Sequence, residues 1–225
     1  MVNLTINGLP VSVEEGSTIL EAAKFIGFPI PTLCHMDGLS PYGACRLCVV
    51  EIGEGQKTKL VSSCTYPVEE GLKVRTASNR VIKARKMVLE LLLASCPQSK
   101  IIQDLASAHD IRQQRFKQEH EDCILCGLCV RMCHEQMVAG AIGFHGRGEK
   151  RGLGTPFDAK SEVCRLCGGC IYVCPACQLR CTYSDPETVI CGGCANLSPP
   201  CIEKTNFDDM MCYMEPCVAC EIKKD

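Results

Sequence analysis

Two runs of cysteine decide how this chain is read. The first is Cys123-Ile-Leu-Cys126-Gly-Leu-Cys129-Val-Arg-Met-Cys133, and the second is Cys164-Arg-Leu-Cys167-Gly-Gly-Cys170-Ile-Tyr-Val-Cys174-Pro175. Both have the form C-x2-C-x2-C-x3-C, and only the second carries a trailing proline. Three thiolates on one tight loop can grip three corners of a cubane, but the fourth has to approach from elsewhere. Tandem runs of this spacing solve that by lending each fourth cysteine to the other run's cluster. The spacing therefore predicts one 4Fe–4S cluster on Cys123, Cys126, Cys129 and Cys174. It predicts a second on Cys164, Cys167, Cys170 and Cys133. The competing reading is zinc, which uses C-x2-C pairs separated by a longer loop. Gly127, Gly168 and Gly169 would let the loops wrap closely and expose amides to sulfur. After Cys133 the proline is replaced by His134.

The rest of the chain is consistent with metal rather than disulfide. It has 225 residues and 21 cysteines, close to the density of a disulfide scaffold. That reading requires a secreted chain, and Met1 to Gly8 is an alternating polar strand with neither a charged n-region nor an apolar core. The longest apolar run, around Val88 to Ala94, is interrupted by Glu90, so no membrane span is expected. A reducing cytoplasm is the expected location, where metal ligation explains the cysteines. The net charge of −2, with Lys and Arg scattered, gives no sign of a nucleic-acid partner. Trp is absent and aromatics make up 5%, so clusters would substitute for part of the core.

Residues 1–78 read as a strand-rich domain. Val2 to Ile6 alternates apolar and polar, Asn7-Gly8 supplies a tight turn, and Val11 to Val13 resumes the alternation. Thr18-Ile-Leu-Glu21 is a capping box opening a short helix that stops near Gly27 and Pro29. Strands are expected at Cys48–Ile52, Leu60–Ser62 and Leu72–Thr76, an order that reads as a β-grasp. Between them sit Cys34, Cys45, Cys48 and Cys64, three ligands near one loop plus a remote fourth, which is the logic of a 2Fe–2S site. The alternative is four buried thiols. A Rieske site would need a second histidine beside His35, so His35 reads as an ordinary loop residue.

Here a family resemblance enters. Pro31-Thr-Leu-Cys34-His and Gly43-Ala-Cys45-Arg-Leu-Cys48-Val-Val-Glu51 resemble the 2Fe–2S domain of the large iron–sulfur subunit of complex I and of the NAD-linked hydrogenases. The resemblance resumes at Cys123 and continues through Gly140-Ala-Ile-Gly-Phe144-His-Gly-Arg147-Gly148 and Thr155-Pro156-Phe157. Residues 79–115 form the helical connector, with Ser78 or Asn79 capping a helix through Leu93 and a second helical run from Ile101 to Ile111. In the family this connector binds a cluster through one His and three Cys. Here Cys96 stands where that His would be and the three-Cys loop is missing, so the site is degenerate; His109 reads as a surface histidine. Arg131, Arg147 and Arg165 could stabilise reduced clusters, but solvated surface charge is the expected reading.

The fold expected is therefore α+β, with the N-terminal β-grasp 2Fe–2S ferredoxin domain (1–78) followed by the connector. A bacterial-type ferredoxin domain with two 4Fe–4S clusters (116–184) and an irregular Cys-rich tail (185–225) complete it. Eight cysteines beyond the two runs, Cys177, Cys181, Cys191, Cys194, Cys201, Cys212, Cys217 and Cys220, suffice for one or two further sites holding iron–sulfur clusters or zinc. No Gly-x-Gly-x-x-Gly turn, Walker loop or triad is present. The resemblance implies an electron-transfer subunit in a hetero-oligomeric complex, placed between a flavin-containing NAD(H)-oxidising subunit and a further redox catalytic subunit. A stand-alone soluble polyferredoxin is the alternative; a regulatory protein with a zinc module in the tail is a third class.

Overall fold

The structure is a computed structural model and describes residues 1–176 except 56, 112–114, 117–122, 160 and 166. The eight tail cysteines and the segment 185–225 lie outside the described residues.

The N-terminal strands β1 (Val2–Ile6) and β2 (Leu9–Val13) form an antiparallel hairpin with Ile6 opposite Leu9. That register leaves Asn7 and Gly8 as a two-residue turn, both at positive φ, as a primed turn demands. The alternation then works as expected: Leu4, Ile6, Val11 and Val13 are buried. Helix α1 (Ile19–Phe25) starts at Thr18, whose hydroxyl accepts from the Glu21 amide while the Glu21 carboxylate accepts from the Thr18 amide. Ile19, Leu20, Ala22 and Ala23 are its buried face.

Strands β3 (Val49–Glu54), β4 (Lys57–Ser62) and β5 (Lys73–Arg75) complete a five-stranded sheet of order β2-β1-β5-β3-β4. The β1–β5 pair is parallel and the others are antiparallel. A parallel pair at the centre of a sheet made of hairpins, with one helix packed against it, is the β-grasp arrangement. Its core contains Leu4, Ile6, Ile19, Val50, Ile52 and Val74, together with Cys48 and Cys64.

Helix α2 (Asn79–Ser95) is capped by the Ser78 hydroxyl, which accepts from the Val81 amide. The second connector helix, α3 (Lys100–Ala108), ends short of the expected Ile111, at the His109 cap. Its own cap, Ser99, accepts from the Ile102 amide and donates to the Pro175 carbonyl at 2.9 Å, tying the connector to the end of the second cysteine run. Cys96 is 1% exposed and belongs to the buried cluster that holds Leu47, Leu89 and Ile102 together with Cys34, Cys45 and Cys126. Position 96 is therefore buried in the core next to the cysteine sets.

Each cysteine run then forms a short helix after a left-handed glycine. Gly127 (φ 71°) precedes α4 (Leu128–Arg131), and Gly168 (φ 69°) precedes α5 (Gly169–Tyr172). Between them lies a hairpin of β6 (Gly143–His145) and β7 (Gly152–Gly154). The two halves end differently. The chain after α4 continues as a π-helical turn over Met132–Gln136, with the Met137 amide donating to the Met132 carbonyl. After α5, Pro175 has no amide hydrogen to continue a helix. Residue 134 is a histidine, whose amide, unlike a proline nitrogen, is compatible with the extra turn.

Candidate metal centres

The first cysteine set converges where two cores meet. Cys48 and Cys64 belong to the β-grasp core, whereas Cys34 and Cys45 belong to a second core shared with Leu89, Ile102, Cys126, Leu128 and Val173. All four are buried, with relative exposures no higher than 5%. The Cys48 and Cys64 sulfurs lie 3.2 Å apart, and the Cys45 amide points at the Cys34 sulfur at 3.4 Å. Among the described residues no three His, Cys, Asp or Glu side chains enclose a single metal ion. The thiols are close enough to split one another's protonation. Hydrogen bonds from Cys45 and then Cys64 lower the Cys34 pKa to about 2. Cys64 does the same to Cys48, lowering it to about 6, while Cys45 and Cys64 are pushed up by those same contacts and by burial.

Backbone amides are aimed at these sulfurs. Ala44 and Cys45 hydrogen-bond Cys34, Leu47 serves Cys45, and the Cys64 backbone serves Cys48, whose carbonyl accepts from the Ser63 hydroxyl at 2.8 Å. Donors of this kind stabilise thiolate and tune a bound cluster. Two buried arginines add charge. Arg85, on the same α2 face as Val81 and Leu89, donates from Nη2 to the Val49 carbonyl at 2.8 Å, next to Cys48. Arg131 donates to the Cys34 carbonyl at 2.6 Å and to the Ser40 carbonyl. His35 is not drawn into the set; its Nε2 lies 3.5 Å from Asp37.

The second set lies immediately beyond. The Leu125 amide points at the Cys123 sulfur at 3.4 Å, and the amides of Leu128 and Val130 serve Cys126 and Cys129. Burial pushes the Cys126 thiol up to about 11 and raises Cys129 also. Cys129 is within electrostatic reach of Cys126, Cys123 and Cys170, and Cys174 packs on the same core as Cys126 and Cys129. The tight approach of Met132 to Gly169 places the Cys133 turn beside α5, and the Ala141 amide points at the Cys133 sulfur at 3.3 Å. Cys164 and Cys170 are half-buried and Cys167 is exposed, so the second loop faces solvent more than the first.

One expectation is corrected. Arg147 and Arg165 are exposed, as solvated charges should be, but Arg131 is only 8% exposed and lies 5.5 Å from the Tyr42 ring centre. Tyr42 in turn stacks on Phe144 at 6.2 Å, and Arg151 lies over the Phe144 ring at 4.2 Å while donating to the Tyr42 hydroxyl at 2.9 Å. The two rings sit against Gly127, whose absent side chain leaves room for both. Sequence reading also passed over Ser40, Glu135 and Gln136, which join the two cysteine sets. For Arg85 a signal existed, since its i±4 spacing from Val81 and Leu89 puts it on the buried stripe.

Thiols crowded in pairs, amides converging on them and buried guanidinium groups beside them define an iron–sulfur protein with a 2Fe–2S domain and a 4Fe–4S dicluster domain. The family model described as a 2Fe-2S iron-sulfur cluster binding domain matches residues 1–79, and that of a 4Fe-4S dicluster domain matches residues 122–178. The chain belongs to the family of iron–sulfur electron-transfer chains that includes one from an NAD+-reducing [NiFe]-hydrogenase crystallised in the H2-reduced state. The two share 30% identity with a TM-score of 0.61, over 68% of this chain and 74% of that one.

Longer relatives share the same segment. The NADPH-Fe(3+) oxidoreductase subunit alpha of Geobacter sulfurreducens is 34% identical over 200 residues, covering 78% of this chain and 23% of that protein. The NADP-reducing hydrogenase subunit HndD of Solidesulfovibrio fructosivorans is 35% identical over 207 residues, 78% of this chain and 35% of that one. The mitochondrial NADH-ubiquinone oxidoreductase 78 kDa subunit of Candida albicans is 32% identical over 201 residues, 77% and 28% respectively. The chain thus spans a quarter to a third of the length of these curated relatives. No helix among the described residues is long and apolar enough to cross a membrane.

Proposed function

We propose that this chain relays single electrons between a flavin-containing NAD(H)-oxidising subunit and a further redox catalytic subunit of a hetero-oligomeric oxidoreductase. Cys34, Cys45, Cys48 and Cys64 would hold a 2Fe–2S cluster. Cys123, Cys126, Cys129 and Cys174 would hold one 4Fe–4S cluster, and Cys164, Cys167, Cys170 and Cys133 the other. The observation that carries this reading is the shared core: Cys34 and Cys126 pack in one apolar cluster and lie within electrostatic reach of each other. Adjacent one-electron centres in a dry, fixed setting are what electron hopping requires.

The clusters supply the electron chemistry, taking up and releasing one electron at a time. The chain supplies the rest. Amides of residues 44, 45, 47, 128 and 130 hydrogen-bond the sulfurs and favour thiolate against the burial that opposes it, burial excludes water, and the hydrogen bonds between residues 38–40 and 131–136 fix the spacing. Membership in NAD(P)-linked complexes is what the relatives' names carry, and it supports the partners named here.

Iron, sulfide and zinc analysis of anaerobically purified protein, with EPR of the reduced state, tests the reading. About ten iron and ten sulfide per chain are expected from one two-iron and two four-iron clusters. About fourteen to eighteen iron would extend the wire into the tail. Iron near zero with several zinc would remove the electron-transfer reading. A monomer that carries its clusters and shuttles electrons between unrelated enzymes would favour a free carrier over a subunit.

A further inference from the structure

Two arginines, Arg85 and Arg131, are buried without an ion pair among the described residues. Arg85 is 7% exposed and Arg131 is 8% exposed. Each donates to main-chain carbonyls, and the Nε of each is buried without a hydrogen-bond partner. A guanidinium does not escape this cost by losing its proton, because its pKa is too high. An uncompensated buried charge is strongly destabilising, so a fold that keeps two of them calls for negative charge nearby.

The two differ in where they point. Arg85 reaches the Val49 carbonyl, one residue from Cys48. Arg131 reaches the Cys34 carbonyl, while its own segment, Cys129-Val-Arg131-Met-Cys133, belongs to the first cysteine run. Arg131 therefore lies between the two cysteine sets, with the Tyr42 ring on one side. The electrostatics agree. Arg131 favours the thiolate of Cys126, and a Cys48 thiolate favours the charged form of Arg85. Glu135 is within electrostatic reach of Arg131 and offsets part of its charge, but it forms no ion pair with it and accepts twice from Ser40.

We infer that Arg131 is a shared counter-charge for the 2Fe–2S site and the nearer 4Fe–4S site, and that Arg85 is a counter-charge for the 2Fe–2S site alone. The inference rests on the cluster reading above. Adding one electron to either site adds one negative charge and no proton, and a fixed positive charge within the dry core favours that state. Arg131 accordingly raises both midpoint potentials together, whereas Arg85 raises one. Both are positioning and tuning residues and touch no reacting atom.

The test is an anaerobic EPR-monitored titration with dithionite as reductant, on wild type, Arg131→Gln, Arg131→Lys and Arg85→Gln. In Arg131→Gln the 2Fe–2S signal and one 4Fe–4S signal should each become harder to reduce by about tenfold in the one-electron equilibrium. That is about 59 mV for n = 1. Arg85→Gln should lower only the 2Fe–2S midpoint, and Arg131→Lys, which keeps the charge, should stay within about threefold of wild type. Unmoved midpoints in Arg131→Gln, or equal shifts in the Gln and Lys variants, would overturn the proposal, because a purely structural latch does not distinguish charge from shape. Should Arg131→Gln fail to take up iron, Arg131→Lys decides. Assembly with midpoints within about threefold assigns the role to charge, and failure or a tenfold shift refutes it. Iron and sulfide near zero in the wild type would remove the cluster reading itself, before any midpoint is compared.

Discussion

Ser40 and Glu135 are joined twice: the Ser40 amide donates to one carboxylate oxygen at 2.7 Å and its hydroxyl donates to the other at 2.5 Å. The pair links the loop after Cys34 to the turn after Cys133. Glu135 reaches Ser40 because the chain continues as a π-helical turn instead of stopping at a proline, and the same turn brings Gln136 to the Gly38 carbonyl at 2.5 Å. π-turns of this kind recur at functional sites. Here the turn fixes one ligand loop against another.

This latch makes stability depend on pH in a defined direction. The Ser40 hydroxyl, then its amide, hold the Glu135 pKa below the ordinary carboxylate value. A depressed folded pKa means the contribution is complete above the unfolded value, about 4.3, and is lost as pH falls through the folded one. Glu135→Gln should therefore melt below wild type at pH 7, and the gap should close as pH drops below about 4. Anaerobic thermal melts across that range check it; a gap that widens in acid would contradict the latch.

Local features of this fold were legible in the sequence because local chemistry determines them. Asn7-Gly8 sets the hairpin turn, Thr18 and Glu21 set the start of α1, and Ser78 sets the start of α2. The burial of Arg131 was not legible: a short helix after Gly127 presents no periodicity from which to read its inward face. Nor was the latch, since the missing proline at position 134 is visible but Ser40, the partner of Glu135, is 95 residues away from it in the chain. The degenerate connector site falls between these cases. Cys96 is conspicuous in sequence, and only packing shows that it is buried in one cluster with Leu47, Leu89 and Ile102.

That packing predicts a clean separation among cysteines. Cys96→Ala should leave the iron content of the protein unchanged and cost roughly 1–2 kcal/mol, the scale of a small buried truncation. Cys34→Ala should instead abolish the 2Fe–2S EPR signal. Iron analysis and denaturant midpoints on both variants check this, and loss of iron in Cys96→Ala would restore the connector as a ligand site.

The capping box should behave as an independent unit. Thr18→Ala removes the acceptor for the Glu21 amide and should destabilise the β-grasp domain by about 1 kcal/mol. Because α1 packs on the sheet core through Ile19, Leu20, Ala22 and Ala23, the loss should appear in chemical denaturation without a change in cluster potentials.

The two ligand-loop glycines offer the most discriminating comparison, because their backbones match and their surroundings do not. Gly127 and Gly168 have φ of 71° and 69°, a left-handed conformation that costs an L-residue about 1–2 kcal/mol. A methyl group at Gly168 would meet nothing within 4 Å, so Gly168→Ala should cost that backbone penalty alone. At Gly127 the same methyl would lie 3.2 Å from both the Phe144 Cζ and the Tyr42 Cε1. Those rings are stacked, and Arg131 lies over Tyr42, so displacing Tyr42 would disturb the guanidinium at the Cys34 carbonyl. Gly127→Ala should cost about 1–3 kcal/mol more than Gly168→Ala, the range for overpacking a filled site. It should also shift the 2Fe–2S potential, although residue 127 is in the other domain. Denaturation midpoints and EPR titrations of the two variants side by side check both outcomes; equal costs with unshifted 2Fe–2S potentials would mean that the aromatic stack transmits nothing.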